Sequence, residues 1–503
     1  MGRDWLEWVR SILKTEEKMT VKVKINLENP TGNFWIDNGL VILYDLFAEG
    51  EFDAEKLLDN LIEKLVVETG NIGTYYDLST QQIREYKKKN WVYPTNIFIK
   101  STPRADKIKI KGKPYFLNPP QYTLKLSFSK TKSVCDICGL KDHLADAKMW
   151  MFPFAVEPTK FSNFYSGLKR GTKLCPRCAL AGLAGYLGWL WKAQGRDKLH
   201  IFVFYSDLKT MYNLRIKVFK PFEHSGEIKG GNVPVAFSGD YIHETLLGLL
   251  LRLFRELKKP EVLSEEGEKV LEEIFGESFA ETPLTLYAFS GKPGQAFNMD
   301  TMIEFSEFKT FYRLYMRWFE IFDQPEVNRL RIIENVFRQF QRMEGKNWNT
   351  IWRDRIAWAM LDMRDPSVFI EDFIFEARVR EENPRSLAFG TFDIFETYWK
   401  EVIKMDERLL NVLKGFGHTL GRTAKQRSEM GLLFALRNAK NPDEFFRVLN
   451  DIQFRLELTI PEDILEIGKG EKIKGSPWLR VKTLLSIYAM NSYLYSASSN
   501  QEV

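Results

Sequence analysis

Four cysteines are the residues of this chain whose types and spacing predict chemistry most clearly. They form two C-x-x-C pairs, Cys135-Asp-Ile-Cys138 and Cys175-Pro-Arg-Cys178, which are separated by 36 residues, and the chain has no other cysteine. Each pair places two sulfur atoms on one side of a tight loop, and two loops supply the four thiolates of a tetrahedral Zn²⁺ site. Because four thiolates leave no open position for water, the pattern predicts a structural zinc rather than a catalytic one.

Other uses of paired cysteines fit the sequence less well. The start of the chain does not resemble a secretory signal, and a chain of 503 residues is too large to need disulfides for its stability. A redox C-x-x-C normally occurs once, whereas this chain has two. An iron–sulfur cluster uses the same number of ligands, so the spacing leaves that alternative open. His143 lies between the pairs, but we interpret it as an ordinary polar residue because four thiolates already satisfy zinc.

Positive charge is concentrated around the cysteines. Residues 100–220 contain 23 Lys and Arg against 7 Asp and Glu, a net charge of +16, whereas the whole chain carries +5. The rest of the chain therefore carries −11. A local excess of this size predicts a surface that binds a polyanion, and we favour nucleic acid. The alternative is that the lysines only solvate the outer faces of strands.

Residue patterns near the cysteines predict the elements that position them. Residues 107–111 and 122–129 alternate apolar with basic or polar side chains, which predicts strands with one buried face. Residues 179–191 predict a helix after the second pair, in which a glycine at every third position leaves one face thin enough for another backbone to approach. From residue 241 onward the apolar spacing is nearly all helical.

These patterns together predict an α+β fold. It has a strand-rich basic amino-terminal part with an embedded four-cysteine zinc knuckle module, followed by a mostly α-helical carboxy-terminal part. At 503 residues the chain is long enough for about three domains. We assign residues 1–240 to a mixed α/β nucleic-acid-binding domain with the zinc module at about 131–190, residues 241–300 to a helical connector and residues 301–503 to an α-helical bundle domain.

Three shorter stretches predict local structure. Asp37-Asn38-Gly39 has the composition of a turn, and residues 211–220 predict a strand with a basic face. Residues 414–422 are glycine-rich and basic, and we interpret them as a linker between two helices.

Eight residues combine a suitable chemistry with a place near the cysteines or on the basic strands. Arg, Lys and Asn can hydrogen-bond the edges of bases, whereas contacts to phosphates alone carry no sequence information. The residues that we predict to bind nucleic acid are Asn118, Lys130, Lys132, Asn163, Lys169, Arg170, Lys173 and Arg177. Aromatic residues are interleaved among those between 160 and 173, which suits base stacking but would equally fill a small core beside the metal.

Recognised catalytic motifs are missing from the sequence. It contains no P-loop, no H-E-x-x-H and no G-x-S-x-G, and its five histidines do not cluster. Because all four cysteines are assigned to a metal and no catalytic motif is present, we favour a binding protein that is not an enzyme. One alternative is a zinc-ribbon enzyme that modifies or cleaves RNA or DNA, for which Asp37 is the only early candidate carboxylate. Another is a ribosome- or transcription-associated binding protein with a structural zinc.

The chain resembles the large subunit of type I CRISPR interference complexes (Cascade), in the CXXC-CXXC family. The two cysteine pairs carry the resemblance and are its specific part. Further similar stretches are Asn33-Phe-Trp-Ile-Asp-Asn-Gly-Leu40, Leu433-Phe-Ala-Leu-Arg437-Asn-Ala-Lys440 and Pro442-Asp-Glu-Phe445. The resemblance spans most of the chain and matches in length.

The resemblance implies a non-catalytic protein that sits near the 5′ handle of a CRISPR guide RNA. It would recognise the protospacer-adjacent motif on target double-stranded DNA, help to open the duplex and recruit the helicase-nuclease, while the guide supplies most of the sequence specificity. Other Cascade subunits would be further partners. In some such subunits the helical carboxy-terminal half holds the displaced strand or the guide–target duplex, which would correspond here to about residues 302–503. We expect a cytoplasmic protein without membrane contact, because no apolar run has the length of a bilayer span.

Overall fold

The chain folds into two compact units, each built from more than one segment. A computed structural model describes residues 20–91, 106–153, 171–195, 197–229, 231–275, 284–292, 297–468 and 470–498. The first unit comprises Met1–Val233, Leu263–Val270 and Phe279–Ser306, and the second comprises Pro234–Val262, Leu271–Ser278 and Glu307–Val503. The predicted α+β class is confirmed, because the amino-terminal half is rich in strands and the carboxy-terminal half is helical.

The first unit contains short helices and several small sheets. Its helices are α1 (Phe34–Phe47), α2 (Ala54–Leu65), α3 (Pro176–Gly188), α4 (Leu208–Leu214) and α5 (Lys220–His224), with a 3₁₀ turn at Met149–Met151 and a π-helical turn at Arg215–Phe219. Its strands are β1 (Lys22–Ile25), β2 (Gly50–Asp53), β3 (Val66–Asp77), β4 (Gln82–Trp91), β5 (Lys107–Ile110), β6 (Lys113–Phe116), β7 (Lys132–Val134), β8 (Lys141–His143), β9 (Ala145–Asp146), β10 (Lys173–Leu174), β11 (Leu190–Gln194), β12 (Lys198–Tyr205), β13 (Thr285–Lys292) and β14 (Asn298–Phe305).

Two sheets of the first unit have four strands each. One has the order β11-β12-β13-β14 and is antiparallel throughout. The other has the order β4-β3-β6-β5 and contains one parallel pairing, between β3 and β6. The remaining strands form two-stranded ribbons, of which β7–β8 and β9–β10 surround the cysteines.

The core of the first unit forms where α1 packs against α3. Gly39 of α1 lies so close to α3 that a Cβ atom there would be 1.8 Å from the Ala181 carbonyl oxygen. On α3, a Cβ atom at Gly185 would be 2.8 Å from the indole ring of Trp35. Backbones approach this closely only where no side chain intervenes. The prediction that glycines leave one face of this helix thin is therefore confirmed.

The predicted turn at Asp37-Asn38-Gly39 is wrong, because these residues lie inside α1. The helix begins four residues earlier, where the Asn33 side-chain oxygen accepts the N–H groups of Trp35 and Ile36 at 3.1 Å each. This cap satisfies two of the N–H groups that a helix start leaves without a partner. A glycine that looks like a turn signal in sequence thus marks a helix contact.

Two predicted strands also differ from the structure. Residues 211–220 are helical: they lie in α4, the π-helical turn that follows it and the first residue of α5. Asp207 caps α4 by accepting the N–H groups of Lys209 and Thr210 at 3.0 and 2.9 Å. Residues 122–129 are not in a strand, although Leu124 is buried in the core as its alternation predicts.

The second unit is mostly helical. Its helices are α6 (Ile242–Lys258), α8 (Phe308–Glu320), α9 (Glu326–Arg338), α10 (Ile351–Leu361), α11 (Ser367–Asp372), α12 (Thr391–Glu401), α13 (Glu407–Gln426), α14 (Met430–Asn438), α15 (Pro442–Leu456), α16 (Glu462–Leu465) and α17 (Trp478–Ser498), and the residues of α7 (Glu265–Phe275) divide between the two units. A π-helical turn follows α11 at Phe373–Ala377 and a 3₁₀ turn lies at Arg378–Arg380. The ribbons are β15 (Arg342–Glu344) with β16 (Asn347–Asn349), and β17 (Lys472–Ile473) with β18 (Ser476–Pro477).

The predicted helical connector at residues 241–300 does not form a segment of its own. Its first part is α6 of the second unit, whereas its last part forms β13 and β14 in the sheet of the first unit. The reason is pairing: the buried strand β12 hydrogen-bonds along its length to β13, with Ile201 opposite Phe289. Sequence distance hides this contact, because β12 and β13 lie about eighty residues apart in the chain.

The predicted linker at residues 414–422 is wrong as well, because it lies inside α13. Two of its three glycines face α17: a Cβ atom at Gly421 would be 2.0 Å from the Ala489 carbonyl oxygen, and one at Gly417 would be 2.5 Å from Tyr488. Both units therefore use glycines to bring two helices into close contact.

Candidate metal centre

The first cysteine pair lies in the loop between β7 and β8. The Cys135 N–H donates to the Leu140 carbonyl at 2.9 Å, and the Gly139 N–H donates to the Cys135 carbonyl at 3.0 Å. Gly139 has a φ of 71°, in the left-handed region that glycine adopts without strain. The loop thereby turns back on itself and brings the sulfur atoms of Cys135 and Cys138 to one side, as the sequence predicts.

The second pair forms the start of α3. Cys175 is the N-cap residue, and its sulfur accepts the Cys178 N–H at 3.4 Å. Pro176 occupies the first turn, where a missing N–H costs nothing. The Cys175 N–H in turn points at the Cys135 sulfur at 3.3 Å. A helix start favours negative charge, so this position suits thiolates.

Backbone contacts join the two pairs, although 36 residues separate them. Asp136 and Lys173 exchange two hydrogen bonds: the Asp136 N–H donates to the Lys173 carbonyl at 3.0 Å, and the Lys173 N–H donates to the Asp136 carboxylate at 2.6 Å. The Lys173 ammonium also pairs with the Asp146 carboxylate. These contacts fix the loop of the first pair against the strand that leads into the second.

The four sulfur atoms lie within 4.8 Å of one another. The Cys138 and Cys175 sulfurs are 3.7 Å apart. That is far beyond the ~2.05 Å of a disulfide bond. It is close to the ~3.8 Å between ligands that four bonds of ~2.3 Å to one tetrahedral ion would give. The four cysteines are free thiols placed to hold one metal ion.

The four thiols titrate very differently from ordinary cysteines because they hydrogen-bond one another. Hydrogen bonds from Cys175 and Cys178 lower the pKa of Cys135, and a hydrogen bond from Cys178 lowers the pKa of Cys138 to about 7. Donating to Cys135 raises the pKa values of Cys175 and Cys178. Four negative charges this close repel one another, so full ionisation of the cluster needs a cation among the sulfurs.

The cluster belongs to the main core of the first unit. Cys135, Cys175 and Cys178 are at most 2% exposed and pack in the same hydrophobic cluster as α1 and α3. The Trp35 indole N–H strengthens this connection, because it donates to the Met151 carbonyl at 2.8 Å and the Gly182 carbonyl at 3.0 Å. The sequence did not single out Trp35 as a residue of this site, although it lies two residues after the N-cap Asn33. A metal held here would stabilise the core itself.

His143 does not take part in the sulfur cluster. Its ring nitrogen Nδ1 lies 2.9 Å from the Ser129 carbonyl oxygen, and Leu144 N–H donates to the Ser129 hydroxyl at 2.9 Å. The ring therefore contacts the backbone of the segment that leads into the β7–β8 ribbon. This agrees with the prediction of an ordinary polar residue.

Asp37, the carboxylate on which the enzyme alternative rested, has a structural role. It is fully buried in α1, and one carboxylate oxygen accepts the Thr31 N–H at 2.7 Å and the Thr31 hydroxyl at 2.8 Å. Its other oxygen accepts the Gly32 N–H at 3.0 Å. Three hydrogen bonds thus commit this carboxylate to the loop before α1.

The predicted nucleic-acid residues lie in different environments. Asn118, Lys130 and Lys132 are exposed, the last two at the start of the β7–β8 ribbon. Lys173 is half-buried and pairs with Asp146. Arg177 is buried, and its guanidinium donates to the Asn29 carbonyl. Asn118, Lys130 and Lys132 thus lie on the surface, where Lys132 is 3.9 Å from the Asp142 carboxylate, while Lys173 and Arg177 make structural contacts.

The other three predicted residues, Asn163, Lys169 and Arg170, lie outside the described ranges. Their proposed contacts to nucleic acid stay predictions.

No protein-family model matches the chain, and no curated protein matches it either. Across the described residues, no helix combines the length and the apolar character that crossing a membrane requires.

Proposed function

We propose that the four cysteines hold a single structural Zn²⁺ ion. Their separation suits one ion with four Zn–S bonds, and a cluster of several iron and sulfide atoms would hold its ligands farther apart. Zinc would neutralise the thiolates and fix the β7–β8 loop to the start of α3. A site with four protein ligands has no open position, so the ion supplies folding free energy rather than catalysis.

We further propose that the chain is the non-catalytic large subunit of a CRISPR RNA-guided DNA surveillance complex. In this function it recognises the protospacer-adjacent motif on target duplex DNA, aids unwinding and recruits the helicase-nuclease. One observation supports the nucleic-acid part: the four-cysteine cluster is built into the core of the unit whose surface strands and loops expose lysines, including Lys130 and Lys132. The assignment to this particular complex rests on the resemblance to the Cascade large subunit.

The alternatives make different demands on this unit. A zinc-ribbon enzyme acting on RNA or DNA needs a carboxylate that faces its substrate, and Asp37 is enclosed by Thr31 and Gly32. A ribosome- or transcription-associated protein would use the same basic surface and the same structural zinc. RNA identity therefore discriminates between the interference complex and this third function.

The test is to purify the protein natively and to sequence the RNA that accompanies it. We expect guide RNAs that share a repeat-derived 5′ handle, together with the backbone subunits of the complex. Ribosomal or transfer RNA, or no RNA at all, would overturn the interference-complex function. Elemental analysis of the same preparation should find about one zinc per chain, and iron in its place would overturn the zinc assignment.

A further inference from the structure

The β4-β3-β6-β5 sheet presents a face on which aromatic rings alternate with positive charges. Cross-strand pairs place Tyr75 opposite Arg84 and Gly73 opposite Tyr86 on this face. The parallel pairing of β3 with β6 places Phe116 beside Tyr75, and Lys107 of β5 lies opposite Phe116. We call this the aromatic face, and its residues are Tyr75, Tyr86, Phe116, Arg84, Lys107 and Lys109.

The rings of the aromatic face lie on the sheet surface, outside the hydrophobic core of the first unit. A Cβ atom at Gly73 would be 2.7 Å from the Tyr86 ring, so the ring can occupy this position only because residue 73 is a glycine. Tyr75 and Tyr86 contact edge to face with ring centroids 6.2 Å apart. Tyr75, Tyr86 and Phe116 are all half-buried. Half-exposed rings fixed on strands form a surface on which flat ligands can stack.

Positive charges surround these rings. The Lys107 ammonium lies 5.0 Å from the centre of the Phe116 ring, and Lys107 and Lys109 are exposed. Arg84 is half-exposed and pairs at 3.0 Å with Asp77, whose carboxylate also accepts from Ser79. The hydrogen bond from the Ser79 hydroxyl is the main reason why the pKa of Asp77 falls to about 2. One carboxylate therefore offsets one of three cations, and the face stays positive.

The opposite face of the same sheet is different. Ile72 and Ile83 are 61% and 50% exposed there, and Tyr76, Ile108 and Tyr115 share that side by strand alternation. The opposite face also has two tyrosines and two lysines, Lys87 opposite Ile72 and Lys113 opposite Ile110, mixed with exposed isoleucines. On the aromatic face a tyrosine pair and a lysine–phenylalanine pair place rings and cations in direct contact. That arrangement suits a ligand that carries both planar bases and phosphates.

We propose that the aromatic face binds single-stranded nucleic acid, with bases stacked on Tyr75, Tyr86 and Phe116 and phosphates near Lys107 and Lys109. Single strands fit because their bases are free to stack on protein rings, whereas the bases of a duplex stack on one another. The proposal deepens the proposed nucleic-acid function and rests on it, and it assigns to the chain a second surface besides the region around the cysteines.

The test uses the full chain and fluorescently labelled single strands of uridine or deoxythymidine, followed by fluorescence anisotropy. Neighbouring residues on opposite faces provide matched variants: Tyr75→Leu against Tyr76→Leu in β3, and Phe116→Leu against Tyr115→Leu in β6. Loss of one stacking partner should weaken binding between about 5-fold and about 100-fold, whereas the opposite-face variants should stay within about 2-fold of the unchanged chain.

The charge contribution has its own matched pair. Lys109→Gln removes a cation from the aromatic face, and Lys113→Gln removes one from the opposite face. The slope of log affinity against log salt should become shallower by ~0.7 for Lys109→Gln only. Equal effects of both variants would mean that the whole sheet attracts nucleic acid without a defined site, which would overturn the proposal.

A photo-crosslink tests the site without any substitution. Single strands that carry 5-iodouridine or 5-iododeoxyuridine should crosslink to Tyr75, Tyr86 or Phe116, as mapped by mass spectrometry, and the tighter of the two strands identifies RNA or DNA. If single strands crosslinked only outside this face, or if Tyr75→Leu and Phe116→Leu left single-strand binding unchanged, the proposal would be overturned. If the native preparation contained guide RNA but the crosslinks did not form, only the aromatic face would be rejected. If the crosslinks formed but the native preparation contained no guide RNA, only the interference-complex function would be rejected.

Discussion

The cysteine cluster of the first unit and the buried ion pairs of the second hold ionisable groups in the interior by different means. In the first unit, Cys135, Cys175 and Cys178 are buried with their sulfurs close together, an arrangement that needs a cation to hold thiolates. In the second unit, the buried charges come as pairs of the protein's own residues. Glu244 and Arg353 meet at 2.6 Å, and Glu371 and Lys482 meet at 3.3 Å.

The difference determines what each unit depends on. With the proposed zinc bound, the first unit takes part of its folding free energy from an ion that a chelator can remove. The second carries both charges of each pair in its sequence, so its stability depends on keeping both partners and on pH. Each unit should therefore respond to a perturbation that leaves the other unchanged, and hydrogen exchange followed by mass spectrometry can report on them separately.

The largest effect is expected at the metal. Cys135→Ser removes one ligand, and structural zinc sites contribute on the order of 10 kcal/mol of apparent binding free energy at neutral pH. Amide protection of α1 and α3 should fall sharply, and an added chelator should reproduce the loss in the unchanged chain. Amide protection of α13 and α17 in the second unit should stay unchanged.

Ser133→Ala is the matched control for this prediction, since Ser133 lies exposed on the same ribbon. It should leave amide protection and the zinc content intact. Full protection of α1 in Cys135→Ser would contradict the structural role of the metal.

The second largest effect is expected at the Glu244–Arg353 pair. The Arg353 guanidinium also donates to the Gln341 side chain and the Ser238 carbonyl, and the Thr350 hydroxyl donates to Glu244 at 2.6 Å. Arg353→Met leaves the buried Glu244 carboxylate without its cation. The free energy of unfolding of the second unit should fall by about 3–5 kcal/mol, measured by urea denaturation with hydrogen exchange as the regional readout.

The double variant Arg353→Met/Glu244→Met separates the charge from the packing. Replacing both partners of a buried pair by apolar residues is often close to neutral, so it should recover most of the lost stability. If the double variant were as unstable as the single one, packing of Arg353 on the Phe237 ring, 5.1 Å away, would be the larger contribution.

The same contrast explains which parts of the structure the sequence could predict. The cysteine cluster was predictable because two short motifs fix their own loop geometry, and a tetrahedral ion leaves little freedom in joining them. Asp53 was predictable as a helix start in the same way, since its side chain accepts the N–H groups of Glu55 and Lys56 only two and three residues away. Contacts of this kind depend only on residues that are close in the sequence.

Features that depend on distant partners were not predictable. Gly39 and Gly421 look like breakers in sequence, and only the helices opposite them explain why they are glycines. Strand β13 has its partner β12 far away in the chain, so the helical apolar spacing around β13 led to the prediction of a helical connector at residues 241–300. The aromatic face has the same origin, because Tyr75, Tyr86 and Phe116 come together only through pairing of three strands.

A smaller effect is expected at Glu371. Burial raises the pKa of its carboxyl from 4.5 to about 7, although Lys482 and Arg437 act in the opposite direction. Because the folded-state pKa is above the unfolded value, the folded state keeps a proton that the unfolded state releases. The free energy of unfolding should therefore fall as pH rises from about 4.5 to about 7, by at most about 3 kcal/mol.

Glu371→Gln should remove this dependence, since the amide does not titrate. Urea denaturation at pH 5 and pH 7, with hydrogen exchange read in α11 and α17, gives the measurement. A free energy of unfolding that stays the same between these two pH values would show that Glu371 stays ionised with Lys482. The pair would then behave as a conventional ion pair.

The smallest effects concern the glycine contacts, which the two units share. Gly421→Ala places a Cβ atom 2.0 Å from the Ala489 carbonyl and should lower the free energy of unfolding by about 1–3 kcal/mol, because α13 and α17 must move apart. Gly415→Ala in the same helix meets nothing within 4 Å and should raise it by about 0.5–1 kcal/mol, because alanine restricts the unfolded chain. Gly39→Ala in the first unit places a Cβ atom 1.8 Å from the Ala181 carbonyl and should act like Gly421→Ala when no chelator is present. If Gly39→Ala left the free energy of unfolding of the first unit unchanged, the close contact of α1 with α3 would not contribute to its stability.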